Sequence, residues 1–164
     1  MLRLLIFILL LLPATMVSQK TLLAGDTARA IYIASWVQDS LPGERPFAGK
    51  TIVLDFWSTW CVPCVKAIPH LNALAEEFAN DDVIFAAVSN ERAVTVEKFL
   101  QKTVMKASVF VDTENLLTHK IFGVRAIPRT FIISPGMVIL WTGHPEKLTR
   151  ELLIQHLGRN ESHE

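Results

Sequence analysis

Apolar residues fall along this chain in two kinds of block: short unbroken runs, and longer stretches with helical spacing. Residues 51–57, Thr-Ile-Val-Leu-Asp-Phe-Trp, are apolar on both faces, as in a strand at the centre of a sheet. Over 64–79, Ile68, Leu71, Ala75 and Phe78 recur at helical spacing beside Val65 and Leu74, with Glu76 and Glu77 on the outer side. That pattern predicts a helix, which Pro69 should kink and Asn80, Asp81 and Asp82 should end. Residues 83–88 read as the next buried strand. Asn90 is a candidate N-cap for a helix reaching about residue 102.

The same reading continues on either side. Residues 30–37, with Tyr32 and Trp36, predict a first strand, and 40–50, with Pro42, Gly43, Pro46 and Gly49, a loop. Residues 108–111 predict a short strand, and 113–122 a short helix that stops at Gly123. Residues 130–133 and 137–141 flank Ser134, Pro135 and Gly136, the pattern of a hairpin. Pro145 at a first helical turn opens a last helix, with Leu148, Leu152 and Leu157 on one side and Gly158 closing it. Strands and helices thus alternate before a terminal hairpin. The expected class is α/β, a central mixed sheet with helices on both faces.

The N-terminus changes the picture of where this domain works. Arg3 precedes an unbroken apolar stretch over 4–12, and Pro13, Ala14 and Thr15 then lower the hydrophobicity. Residues 1–18 read as a secretory signal peptide, with an uncleaved anchor as the alternative. The run is short for a spanning helix, which needs about 20 apolar residues. Residues 19–29 read as a linker or frayed start, and 30–160 as one domain. The expected location is exported, periplasmic or anchored to a membrane through the N-terminal segment, and facing an oxidising compartment. Lys plus Arg balance Asp plus Glu at 16 each, which argues against a nucleic-acid surface.

Only two cysteines are present, Cys61 and Cys64, with two residues between them. A bridge this local constrains the unfolded chain little, so a purely structural disulfide is disfavoured. The pair falls where a strand hands over to its helix, which is where α/β sheets gather chemistry. A helix N-terminus carries partial positive charge and unpaired amides, and these stabilise a thiolate at Cys61. Cys64, one turn on, faces the same side and can reach back. The arrangement predicts a dithiol that exchanges disulfides: Cys61 attacks, and Cys64 resolves the mixed disulfide. It needs no cofactor beyond the redox-active Cys61–Cys64 disulfide itself.

The segment Phe56-Trp57-Ser58-Thr59-Trp60-Cys61-Val62-Pro63-Cys64 closely resembles the thioredoxin superfamily, and within it the exported TlpA/ResA-like thiol-disulfide oxidoreductases. The resemblance covers most of residues 30–157 and implies a thioredoxin-like fold. It implies a kink at Pro69 and a cis-proline at Pro128, after Ile127, facing the dithiol. A substrate segment would then pair beside Ile127 and Pro128 by strand addition. It implies a buried acid at Asp55, whose pKa should rise on burial and which could relay the Cys64 proton. Thioredoxins themselves pair that acid with a lysine on the neighbouring strand, and 83–88 has none. Trp57 reads as core. Trp60 reads as surface around the nucleophile, and Pro63 removes an amide there, leaning the pair toward a reductant. The implied partners are protein thiol and disulfide substrates and a membrane dithiol electron donor. Cytochrome c maturation and envelope redox homeostasis are the implied settings.

Three rivals remain at this level. An oxidase or isomerase of the same fold would run the same chemistry in another direction. A binding module could keep the fold without turnover. A zinc site would need four ligands, and His70, His119, His144, His156 and His163 are scattered without paired spacing. No metal ligand set is therefore expected, nor any Met or His motif for copper or haem. His70 reads as a solvated or capping side chain.

Overall fold

The computed structural model describes residues 20–43, 46–79 and 81–157. The expected signal segment, 1–18, and the helix stop at Gly158 lie outside the described residues. Six strands form one mixed sheet: β1 Ser35–Gln38, β2 Thr51–Trp57, β3 Val83–Ser89, β4 Ser108–Val111, β5 Arg129–Ile133 and β6 Ile139–Gly143, in the order β1-β4-β3-β2-β5-β6. The β2–β3 and β3–β4 pairs are parallel, and β1–β4, β2–β5 and β5–β6 are antiparallel. Four helices accompany them: α1 Val62–Glu77, α2 Ala93–Leu100, α3 Leu117–Phe122 and α4 Arg150–Leu157. The α/β class and the antiparallel terminal hairpin are as the sequence predicts.

β2 is central and wholly buried, and its alternation feeds two cores. Ile52, Leu54 and Phe56 pack with Val88, Phe110, Phe122 and Phe131 on one face. On the other, Val53 meets Leu71, Leu74 and Phe78 of the α1 segment, and Trp57 meets Ile68, Val96 and both cysteines. Asp55 lies between Val53 and Trp57, on the α1 face.

Several expected boundaries move, each for an identifiable reason. The first strand is only Ser35–Gln38, because residues ahead of it bond elsewhere: the Thr118 hydroxyl accepts from the Tyr32 amide and donates to the Tyr32 carbonyl, both at 2.8 Å. The segment read as a linker is pinned rather than loose. Leu22, Gly25 and Ala28 amides donate to the carbonyls of Phe122, Ile139 and Met137, and Ala28 is buried. α2 starts after Arg92, not Asn90, whose side chain is taken up by Ser58. α3 starts at Leu117 because Asp112 gathers the turn ahead of it. Pro145 opens a separate 3-10 turn, Pro145–Lys147, before α4. Pro69 lies inside α1, which continues past it.

Candidate active site

Cys61 is the N-cap residue of α1, with extended backbone, and is bonded to Cys64 in a disulfide. The Cys64 amide donates to Cys61 Sγ at 3.3 Å. A sulfur in this position takes the role a serine oxygen plays in other N-caps, so negative charge on it faces the unpaired amides of the first turn. Pro63, in that turn, withholds one of those amides. Both sulfurs belong to nearly buried residues, Cys61 4% and Cys64 2% exposed. Their neighbours are the opposite: Trp60 is 67% and Val62 63% exposed, an apolar rim around the disulfide.

Asp55 sits beneath α1. It lines a small void with Ile68, one turn past Cys64, and with Leu71, Phe85, Ala87 and Met105. Those apolar walls strip water from the carboxyl, and burial raises its pKa from 3.8 to about 7. The Thr130 hydroxyl, donating to Asp55 Oδ1 at 2.6 Å, pulls the other way and is outweighed. Thr130 is directly opposite Asp55 in the antiparallel β2–β5 register. The partner of this acid is thus a hydroxyl from β5, on the opposite side of β2 from β3, the strand that has no lysine to offer. Nothing local announced this pairing, since only the register of β5 brings the two together.

Ile127–Pro128 is cis, as the resemblance implied. Ile127 packs against the cluster that contains both cysteines. Trp57 is buried in that cluster, as expected. His70, read as solvated or capping, bonds through Nε2 to the Leu148 carbonyl at 2.8 Å and ties α1 to the turn before α4.

Sequence reasoning passed over Glu91. Its carboxylate accepts from the Thr59 amide at 2.7 Å and the Thr59 hydroxyl at 2.8 Å, and from Ser89 Oγ at 3.2 Å. Ser58 Oγ donates to Asn90 Oδ1 at 3.1 Å. The end of β3 therefore holds the loop that delivers Trp60 and Cys61. The only sequence-level signal was a polar Ser89-Asn90-Glu91 cluster at a strand end, which reads equally well as a helix cap. Among the described residues no three His, Cys, Asp or Glu side chains gather where they could share a metal ion.

A sequence profile of the AhpC/TSA family matches residues 44–142. Thiol-disulfide oxidoreductase ResA of Geobacillus thermodenitrificans (strain NG80-2) is 27% identical over 147 residues, covering 88% of this chain and 82% of that protein. ResA of Halalkalibacterium halodurans is 31% identical over 116 residues, covering 68% of this chain and 62% of the relative. In fold, the thioredoxin domain of a thiol-disulfide oxidoreductase from Bacteroides vulgatus superposes with a TM-score of 0.69 at 18% identity, over 85% of this chain and 98% of that domain.

Proposed function

This chain belongs to the AhpC/TSA family and is a thiol-disulfide oxidoreductase of thioredoxin-like fold; from that premise we propose that it reduces protein disulfides outside the cytoplasm. Cys61 is the nucleophile. In the reduced state its thiolate attacks one sulfur of a substrate disulfide and displaces the other. Cys64 then gives up its proton, attacks Cys61 and frees the reduced substrate, leaving the Cys61–Cys64 disulfide. Asp55 takes the Cys64 proton: a carboxyl titrating near neutrality can accept a proton and hand it on. Substrate rests on the rim of Trp60, Pro63, Ile127 and Pro128, the last two offering an edge for an extended segment.

The observation that carries this reading is the position of Cys61, an N-cap sulfur accepting the Cys64 amide. The apolar surroundings of Asp55 support the relay. The chain's N-terminal apolar run supports export, to a periplasm-like space or to a membrane face when the segment is retained. A membrane dithiol carrier would regenerate the reduced form. Cytochrome c precursors and other envelope proteins are the substrates this reading favours.

The reduction potential of the pair, measured beside insulin reduction and oxidation of a reduced test protein, decides the direction. A potential near that of strong oxidants, with faster oxidation than reduction, would reverse the proposal. Cys61→Ser should abolish exchange, and Cys64→Ser should accumulate mixed disulfides. Equal accumulation by both variants would reject the assigned roles.

A further inference from the structure

Next to Trp60 lies a hollow of about 330 Å³ whose walls include Trp60, Asn90, His119, Arg125 and Ile127, with neither cysteine among them. Trp60 adjoins the nucleophile in sequence, and Ile127 also packs on the cluster holding both sulfurs. His119 is nearly buried, with its ring edge-on to Phe56 of β2, centroids 4.9 Å apart. Its Nδ1 lies 2.7 Å from Asp112 Oδ2. Asp112 already accepts from the Thr113, Thr118 and His119 amides. Burial pushes that carboxyl up, but the His119 side chain and the three amides outweigh it and hold it below its ordinary value. An ionised carboxylate only accepts, so Nδ1 carries the hydrogen. Nε2 has no partner among the described residues and is left to exchange a proton with whatever enters the hollow.

We infer that His119, oriented by Asp112, is the acid–base group for the substrate sulfur that Cys61 displaces. The inference rests on the dithiol reading above and adds a proton path to its first step. As the Cys61–substrate bond forms and the substrate S–S bond breaks, the electron pair leaves on the second sulfur. With the ring first protonated at Nε2 from solvent, that sulfur takes the Nε2 proton and departs as a thiol, and the neutral ring keeps its Nδ1 hydrogen on Asp112. The dithiol is the reductant and the substrate disulfide the oxidant, so no further reactant is needed. This is the logic of a base held by a third group, applied to a sulfur leaving group. The charged groups that face this ring are Asp112, at the end of β4, and Arg125, on the loop before β5.

The test isolates the first step in Cys64→Ser protein, following mixed-disulfide formation with two probes. Hydroxyethyl disulfide releases a basic alkyl thiol that gains from protonation. Nitrobenzoate disulfide releases an acidic aryl thiol that leaves unaided. His119→Gln should raise the aryl-to-alkyl rate ratio by about a hundredfold, the low end for a positioned acid–base group. Imidazole added to His119→Ala should restore part of the alkyl rate. With His119 intact, a solvent isotope effect should appear for the alkyl probe and not the aryl one, which needs no variant to fold. An unchanged ratio, or no isotope difference, would overturn the role of His119. Failure of Cys61 to react with either probe would overturn the dithiol reading instead.

Discussion

Asp55 is the residue whose chemistry departs furthest from its type. Its carboxyl is nearly buried among apolar side chains, and one hydroxyl is its hydrogen-bond partner. The folded state therefore favours the neutral acid. Between about 3.8 and about 7 the folded chain keeps a proton that the unfolded chain has lost. Stability from this group falls as pH rises through that window, and the full cost is present above it. At ~1.4 kcal/mol per pH unit, the upper bound on that cost is about 4 kcal/mol. Asp55→Asn, which keeps an acceptor for Thr130, should stabilise the oxidised protein in urea unfolding at pH 8 and change little at pH 4. Equal effects at both values would mean that packing, not ionisation, sets the difference. The same variant should slow release of reduced substrate and flatten the pH–rate profile of the second step. The family resemblance made Asp55 legible as a buried acid, and its place between Val53 and Trp57 leaves no route to water once both faces of the strand are covered. It did not reveal Thr130, which lies 75 residues away in the chain.

At the scale of elements, the hand-over from β2 to α1 depends on the hand-over from β3 to α2. The parallel β2–β3 register sets Trp57 beside Ser89. The residues that follow each strand then meet, and Glu91 closes on Thr59 from one loop to the other. Hydrogen bonds to a charged group contribute roughly 1.5–3 kcal/mol each when buried; Glu91 is only half-buried, so Glu91→Ala should lose about 2 kcal/mol of stability. Hydrogen exchange at the Thr59 amide should accelerate in that variant. Unaltered protection there would mean that the backbone alone holds the loop. This contact also explains why α2 begins later than its sequence suggests. Asn90 has the chemistry of a cap, but its side-chain oxygen is already taken by Ser58. Local propensity identified a residue able to cap, and a tertiary partner took it first.

For the whole molecule, the sheet closes at its β5–β6 end with help from a segment that looks dispensable in sequence. Residues 20–28 run across Gly123 and alongside β6. The Thr21 hydroxyl donates to the Gly123 carbonyl at 2.7 Å, and Thr27 bridges to Val138. Gly123 has φ +62°, and a Cβ there would clash with the Lys20 carbonyl. The glycine thus ends α3 and lets the N-terminal segment cross it. A chain lacking residues 1–18 gives the reference melting temperature. Removing 1–29 should lower it by roughly 4–7 °C, as expected for losing one to two kcal/mol from a domain of this size. Equal melting temperatures for the two truncations would show that the crossing contributes nothing. The strand–helix alternation, the central strand and the paired cysteines at a helix mouth were written in the chain itself. Each depends on residues within a few positions of one another, where periodicity and spacing carry the information. Tertiary structure decided which distant groups meet: Thr130 under Asp55, Glu91 against Thr59, and His119 against Phe56. Such meetings are set by strand register and by competition for hydrogen-bond partners, and neither is encoded in any short window of sequence.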